Sequence, residues 1–162
     1  MSDSYLKTQG TELYFYDPEN STDGVIKLGC VTNIDGLGGA RSQIDTSCFD
    51  DIDDTFVAGR GTPGQVTVDL NYTEDDASEY HAKIEALRDA GNTAAFAIGF
   101  SNGTSAPTAA TGDVLEFGTD RSGRTFVGYI ADVPFTFADN DIIRTQMVIQ
   151  RSGVVTRFKK SA

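Results

Sequence analysis

Five carboxylates, Asp45, Asp50, Asp51, Asp53 and Asp54, crowd one short stretch of the chain with no lysine or arginine among them. Oxygen ligands at such density suit a hard cation such as Ca²⁺. The helical calcium loop, however, alternates its aspartates, turns on a fixed glycine and closes on a distal bidentate glutamate. None of these features is present, so a solvated or partner-facing acidic loop is the reading favoured over a metal site. Gly59, Gly61 and Gly64 spell G-x-G-x-x-G. Dinucleotide binding needs a helix opening on the last glycine; here Pro63 intervenes and strand-like sequence follows, which makes the glycines a turn closing a long loop. His81 is the sole histidine, and it has no serine elbow or cysteine nucleophile motif to serve. No catalytic residue, no metal and no cofactor are expected. Cys30 and Cys48 lack CxxC spacing and read as free thiols, buried as small hydrophobes.

Apolar residues set the acidic loop apart from a linker. Ile44, Phe49, Ile52, Phe56 and Val57 are spaced through and around its carboxylates, and a purely solvated segment has no use for them. A loop with its own hydrophobic anchors docks on something, either its own domain or a partner.

The elements that must hold this loop read as mainly β. Thr11 to Tyr16, Val25 to Val31 and Arg41 to Thr46 carry strand signals, with a turn cluster at Asp17 to Gly24 and a loop at Asn33 to Ala40. The strand Gln65 to Tyr72 alternates cleanly. Val66, Val68, Leu70 and Tyr72 share one face; Gln65, Thr67, Asp69 and Asn71 share the other. One helix is predicted from Asp76 to Ala90, with Ala77, Tyr80, Ile84 and Leu87 along one stripe, acids at its start and Gly91 as its cap. Asn92 to Phe100 reads as a strand, Ser101 to Gly112 as a surface loop. Asp113 to Gly118 and Arg124 to Phe137 read as a hairpin, the longer strand carrying Val127, Tyr129, Ala131, Val133, Phe135 and Phe137 on one face. Ile142 to Arg151 reads as a last strand with Ile143, Met147 and Ile149 inward, ahead of a basic tail at 151–162. The spacing is that of a β-sandwich or small barrel with one flanking α-helix, and 162 residues suffice for one domain with a full core.

Charge narrows the function classes. All 24 acidic residues precede Arg144, with 8 of the 13 basic ones, so that body carries −16 and the remainder +5. An acidic body argues against a nucleic-acid reader and fits head-to-tail association between unlike patches. No apolar run approaches the ~18 residues of a membrane span. The first residues show neither a basic nor an apolar signal region, which predicts a cytoplasmic product.

The order of features resembles the tail tube (major tail) proteins of long-tailed bacteriophages. The resemblance is carried by Ile44–Ser47 with the aspartate-rich loop, Thr55–Gly61 before Val66–Leu70, the helix ending Ala86–Gly91, Ala94–Phe100 followed by Asn102, and Phe126–Val133. It covers roughly residues 10–152. It implies subunits in hexameric rings stacked as a hollow tube in the virion tail, through which DNA passes without specific binding. Tail initiator, terminator and tape measure proteins would be partners, and no membrane is involved. In such families the long loop matching 45–64 reaches neighbouring subunits. On this reading Phe49, Ile52 and Phe56 are buried between copies, while Asp50, Asp51, Asp53 and Asp54 meet Arg60, Arg157, Lys159 and Lys160. Gln65, Thr67, Asp69 and Asn71 would line the lumen. A tail terminator or other ring-forming virion protein shares these expectations. A monomeric carbohydrate-binding β-sandwich usually relies on exposed aromatics, and this chain has no tryptophan.

Overall fold

A computed structural model describes residues 5–16, 24–74, 80–110 and 114–161. The expected turn at 17–23 and the expected helix start, including Asp75, Asp76, Ala77 and Glu79, lie outside them.

In chain order the strands are β1 (Glu12–Tyr16), β2 (Val25–Leu28), β3 (Val31–Asp35), β4 (Gly39–Asp45), β5 (Phe56–Pro63) and β6 (Gln65–Asn71), then the helix α1 (Tyr80–Ala90), then β7 (Thr93–Gly99), β8 (Thr108–Ala110), β9 (Val114–Glu116), β10 (Gly123–Asp132), β11 (Phe135–Thr136) and β12 (Arg144–Phe158). One antiparallel sheet runs β2-β1-β7-β10-β12-β6-β3, with β11 pairing β12. Its two edge strands, β2 and β3, are consecutive in the chain and joined only by Gly29 and Cys30, so the sheet must curl back on itself. The β4–β5 and β8–β9 hairpins stand as separate two-stranded sheets.

Alternation along the strands fills the concave side. Leu13 and Phe15, Val66, Val68 and Leu70, Phe96 and Ile98, Phe126 and Ile130, and Met147 and Ile149 pack there with Tyr80 and Ile84 of α1. Each such side chain contributes about 1.5–3 kcal/mol when fully buried. Phe96 and Phe126 are register partners and stack with centroids 5.5 Å apart. The Tyr80 hydroxyl donates to the Gly29 carbonyl at 3.2 Å, tying the helix to the β2–β3 link. Gly91, at φ +67, ends α1 by donating its amide to the Leu87 carbonyl at 3.1 Å. On the convex side, β8–β9 covers a smaller cluster of Tyr14, Ala95, Ala97, Leu115 and Phe117.

Several local expectations change. The run from Val25 to Val31 breaks at Cys30, which turns at φ +54 and is exposed, as is Cys48, so neither thiol is a buried hydrophobe. Asn33 to Ala40 is not one loop: β3 continues to Asp35 and β4 begins at Gly39. The glycine-rich segment is strand β5, not a turn. β9 pairs with β8 instead of β10. In β10 the inward residues are Phe126 and Ile130; Tyr129 and Ala131 are exposed. Val133 is buried, but Phe135, Phe137 and Ile143 are exposed. The basic tail is largely strand, since β12 runs to Phe158.

Candidate assembly surface

β4 and β5 form an arm that pairs with no other strand. The two strands run from Gly39↔Pro63 at the root to Asp45↔Phe56 near the tip. Glycine serves close approach here: a Cβ at Gly59 would collide with the Ser42 hydroxyl across the hairpin. At the root, Gly36 sits at φ +94, and any Cβ there would strike the Gln65 carbonyl oxygen. The root is also clamped. Arg151, buried on β12, donates to the Leu37 carbonyl at 2.7 Å and the Gly38 carbonyl at 3.1 Å, fixing where the arm leaves the sheet.

The tip is a structured turn. The Thr55 amide donates to the Ser47 hydroxyl at 2.8 Å, the Ser47 amide to Asp45 at 2.8 Å and the Cys48 amide to Asp51 at 2.6 Å. Hydrogen bonds from the Ser47 hydroxyl and amide hold the Asp45 carboxyl below its ordinary range. Two of the five carboxylates therefore shape the turn, leaving Asp50, Asp53 and Asp54 facing outward. Among the described residues no three His, Cys, Asp or Glu side chains converge as a metal site.

The turn displays apolar side chains to solvent. Phe49 and Ile52 are fully exposed at 113% and 99%, and Ile44, Phe56 and Val57 are each more than half exposed. An isolated two-stranded hairpin is marginal in water, and an apolar patch on one marks a contact surface. Arg60 is exposed on β5.

The other expected site residues fall elsewhere. Gln65, Thr67, Asp69 and Asn71 do share one side of β6, opposite the buried Val66, Val68 and Leu70. That side is a polar lattice: Gln146 donates to Asp69 at 2.8 Å, Asn33 to the same carboxylate at 3.4 Å, and Arg144 to Asn71 at 3.2 Å. Arg144 also bridges Asp141 at 3.2 Å. Arg157 lies in β12 opposite Arg124. Lys159 is exposed, whereas Lys160 folds onto its own chain, its ammonium donating to the Asn102 carbonyl at 2.8 Å and its amide to Ser122 at 2.9 Å. His81 is buried between Tyr72 and Tyr80, with ring centroids 4.6 and 4.4 Å away.

Three features escaped the sequence reading. Arg151 is one. Arg121 is the second: its side chain is wholly buried and donates to the carbonyls of Phe100 (2.7 Å), Gly99 (3.1 Å), Ser105 (3.1 Å) and Gly10 (3.2 Å), and to Tyr14, with Glu12 3.4 Å away. No neighbour in sequence marks it, because Glu12 is 109 positions distant. The third is an exposed aromatic patch in which Phe135 stacks on Phe137 at 6.2 Å and meets Tyr72 edge-on at 5.7 Å. The alternation of Phe135 and Phe137 was visible, but it put them on one face with Val133, which is buried.

Comparison with known proteins gives this arrangement a context. The chain is 37% identical over 160 residues to "Structural protein 3" of Pseudomonas phage PAJU2, covering 96% of this chain and 95% of that one. Its fold is similar to that of the SPP1 tail tube (TM-score 0.70, 10% identity, 96% of this chain and 81% of the other). It is similar too to the sheath/tube terminator of an extracellular contractile injection system (TM-score 0.67, 10% identity, 98% and 99% covered). Residues 4–161 match the family described as phage tail tube, TTP, lambda-like, and by that match this chain belongs to the lambda-like phage tail tube family, structural proteins of the virion tail.

Proposed function

We propose that copies of this chain join into six-membered rings which stack into the tail tube, each contributing its β4–β5 arm to the contact with a neighbour. One observation carries the reading. Phe49 and Ile52 stand fully exposed at the end of a hairpin clamped at its root, and within the described residues of a single chain nothing covers them. Association removes that apolar area from water, while Asp50, Asp53 and Asp54 on one copy and cations such as Arg60, Arg157 and Lys159 on another set the register.

The polar side of β6 then faces the channel. Asp69 and its amide partners present hydrogen-bonding groups and negative charge without a basic stripe. Such a wall repels phosphate over roughly 8–10 Å at physiological salt, so DNA passes without adhering. Tail initiator, terminator and tape measure proteins are the partners this role requires, and the chain is proposed to act as one tail-tube unit with no catalytic role.

Concentrating the purified protein and imaging it by negative stain tests the reading. Six-fold tubes of indefinite length are expected. Closed single rings would assign a terminator role instead, and a stable monomer would remove the assembly reading altogether.

A further inference from the structure

Resting on the assembly reading above, we infer that the arm's tip seats in a particular cavity of the neighbouring copy, one bounded by the N-terminal segment and β3. The cavity has a volume of about 470 Å³ and is lined by Leu6, Ile34, Leu37, Ile98 and Phe100 among its apolar residues. That volume lies within the roughly 300–1,000 Å³ of clefts that take a ligand. An apolar hollow of this size and a pair of fully exposed apolar side chains, Phe49 and Ile52, are complementary in kind.

Charge selects this seat over the other exposed apolar area. Lys7 is the one ionisable residue of the cavity lining. Its carbonyl accepts from Ser101 at 2.6 Å, and Lys160 donates to the adjoining Asn102 at 2.8 Å. Arg124 lies over the Phe100 ring, 5.2 Å from its centroid, with Arg157 as its register partner. Lys7, Arg124 and Lys160 thus contact the Phe100–Asn102 segment, with Arg157 opposite Arg124, and Phe100 itself forms part of the wall. Of the carboxylates near this region, Glu12 is held by Lys27 at 3.1 Å and Arg121 at 3.4 Å, and Asp69, behind Asn33 of the lining, is held by Asn33 at 3.4 Å and Gln146 at 2.8 Å. The aromatic patch of Phe135 and Phe137 is flanked instead by Asp139, Asp141 and Glu74, which repel an acidic tip, and its Arg144 is engaged by Asp141. A tip carrying Asp50, Asp53 and Asp54 beside Phe49 and Ile52 therefore matches the Lys7 cavity in both charge and polarity. The occupant is a second copy of this chain.

Cysteine cross-linking in assembled tubes tests this. Cys48 is native to the tip and exposed; with Cys30→Ser removing the other thiol, Thr32→Cys places a partner thiol on the cavity wall. Mild oxidation should link subunits head to tail into a ladder of covalent dimers, trimers and higher oligomers on a non-reducing gel, whereas Phe137→Cys in place of Thr32→Cys should not. Tubes that link through Phe137→Cys, or through neither position, overturn the seat while leaving the arm's role intact; failure of the parent protein to form tubes overturns both. As a second measurement, Lys7→Glu with Arg124→Glu should raise the concentration needed for assembly about tenfold or more, and Asp50→Lys with Asp53→Lys in the same chain should restore it. A folded Lys7→Glu, Arg124→Glu variant that assembles at the parent concentration contradicts the proposal.

Discussion

The guanidinium of Arg151 donates to the carbonyl of Leu37 at 2.7 Å across 114 positions of sequence. Through this bond the longest strand of the sheet holds the root of the arm. The consequence is geometric: an apolar tip is useful for assembly only if it leaves the body at a fixed angle, and a buried cation bound to successive carbonyls supplies that angle without a bulky core. Arg151→Ala should therefore lower stability by about 2–3 kcal/mol, the scale of hydrogen bonds to a charged group. It should also speed proteolysis within 39–63 more than elsewhere. Thermal melts with limited digestion check both, and a variant with parent-like cleavage would show that the clamp is dispensable.

Arg121 plays a corresponding part just ahead of β10. It gathers four backbone carbonyls from three separate segments, together with Tyr14 and Glu12. Removing one partner of a buried ionic cluster costs about 3–5 kcal/mol, so Arg121→Ala should be among the most damaging single changes. Arg121→Lys should recover little, because an ammonium cannot reproduce the planar fork. Denaturant midpoints measure the difference.

Glu12 gives stability an acid limb. Partial burial pushes its carboxyl up, but hydrogen bonds from Tyr14 and Lys27 and the charges of Lys27 and Arg121 prevail and hold it below the ordinary 4.5. A depressed folded value means the contribution is complete above pH 4.5 and disappears as pH falls through the lower folded value. Glu12→Gln should flatten the stability profile below that point and leave its shape near neutrality unchanged. Melts across an acid series would reveal an unaltered limb if Glu12 were uninvolved.

Changes at the tip should separate assembly from folding. Phe49→Asp and Ile52→Asp alter fully exposed side chains, so each should shift monomer stability by less than about 0.5 kcal/mol. Each should nonetheless abolish tube formation, by placing an added carboxylate in the proposed contact. Sedimentation of assembled protein beside a thermal melt decides it: normal tubes would remove the tip from the interface.

Much of this fold was legible because period-2 patterning survives wherever one face is wet and the other dry. β6 is the clear case, its buried valines and leucine alternating with polar residues as expected. β10 misled because both of its faces are apolar in sequence. Phe126 and Ile130 compete with Val127, Tyr129 and Ala131, and only the pairing of Phe126 with Phe96 decides which set turns inward. The glycines of β5 imitate a turn, yet Gly59 is there to let Ser42 approach across the hairpin. The acidic loop with its apolar anchors was visible as a display surface. Its clamp was not, since a buried arginine such as Arg151 is spelled the same as a solvated one and its partners are backbone atoms. The cavity beside Lys7 was equally hidden, being assembled from segments far apart in the chain.

The β4–β5 arm is expected to reach full order only against another copy of the chain. Hydrogen exchange read residue by residue, in the free subunit and in assembled tubes, tests it most directly. Amides of 46–55 are predicted to exchange readily in the free subunit and to slow by about tenfold or more on assembly, with the core strands β6 and β7 little changed. Equal and strong protection of 46–55 in both states would contradict it, because the arm would then owe nothing to a neighbour.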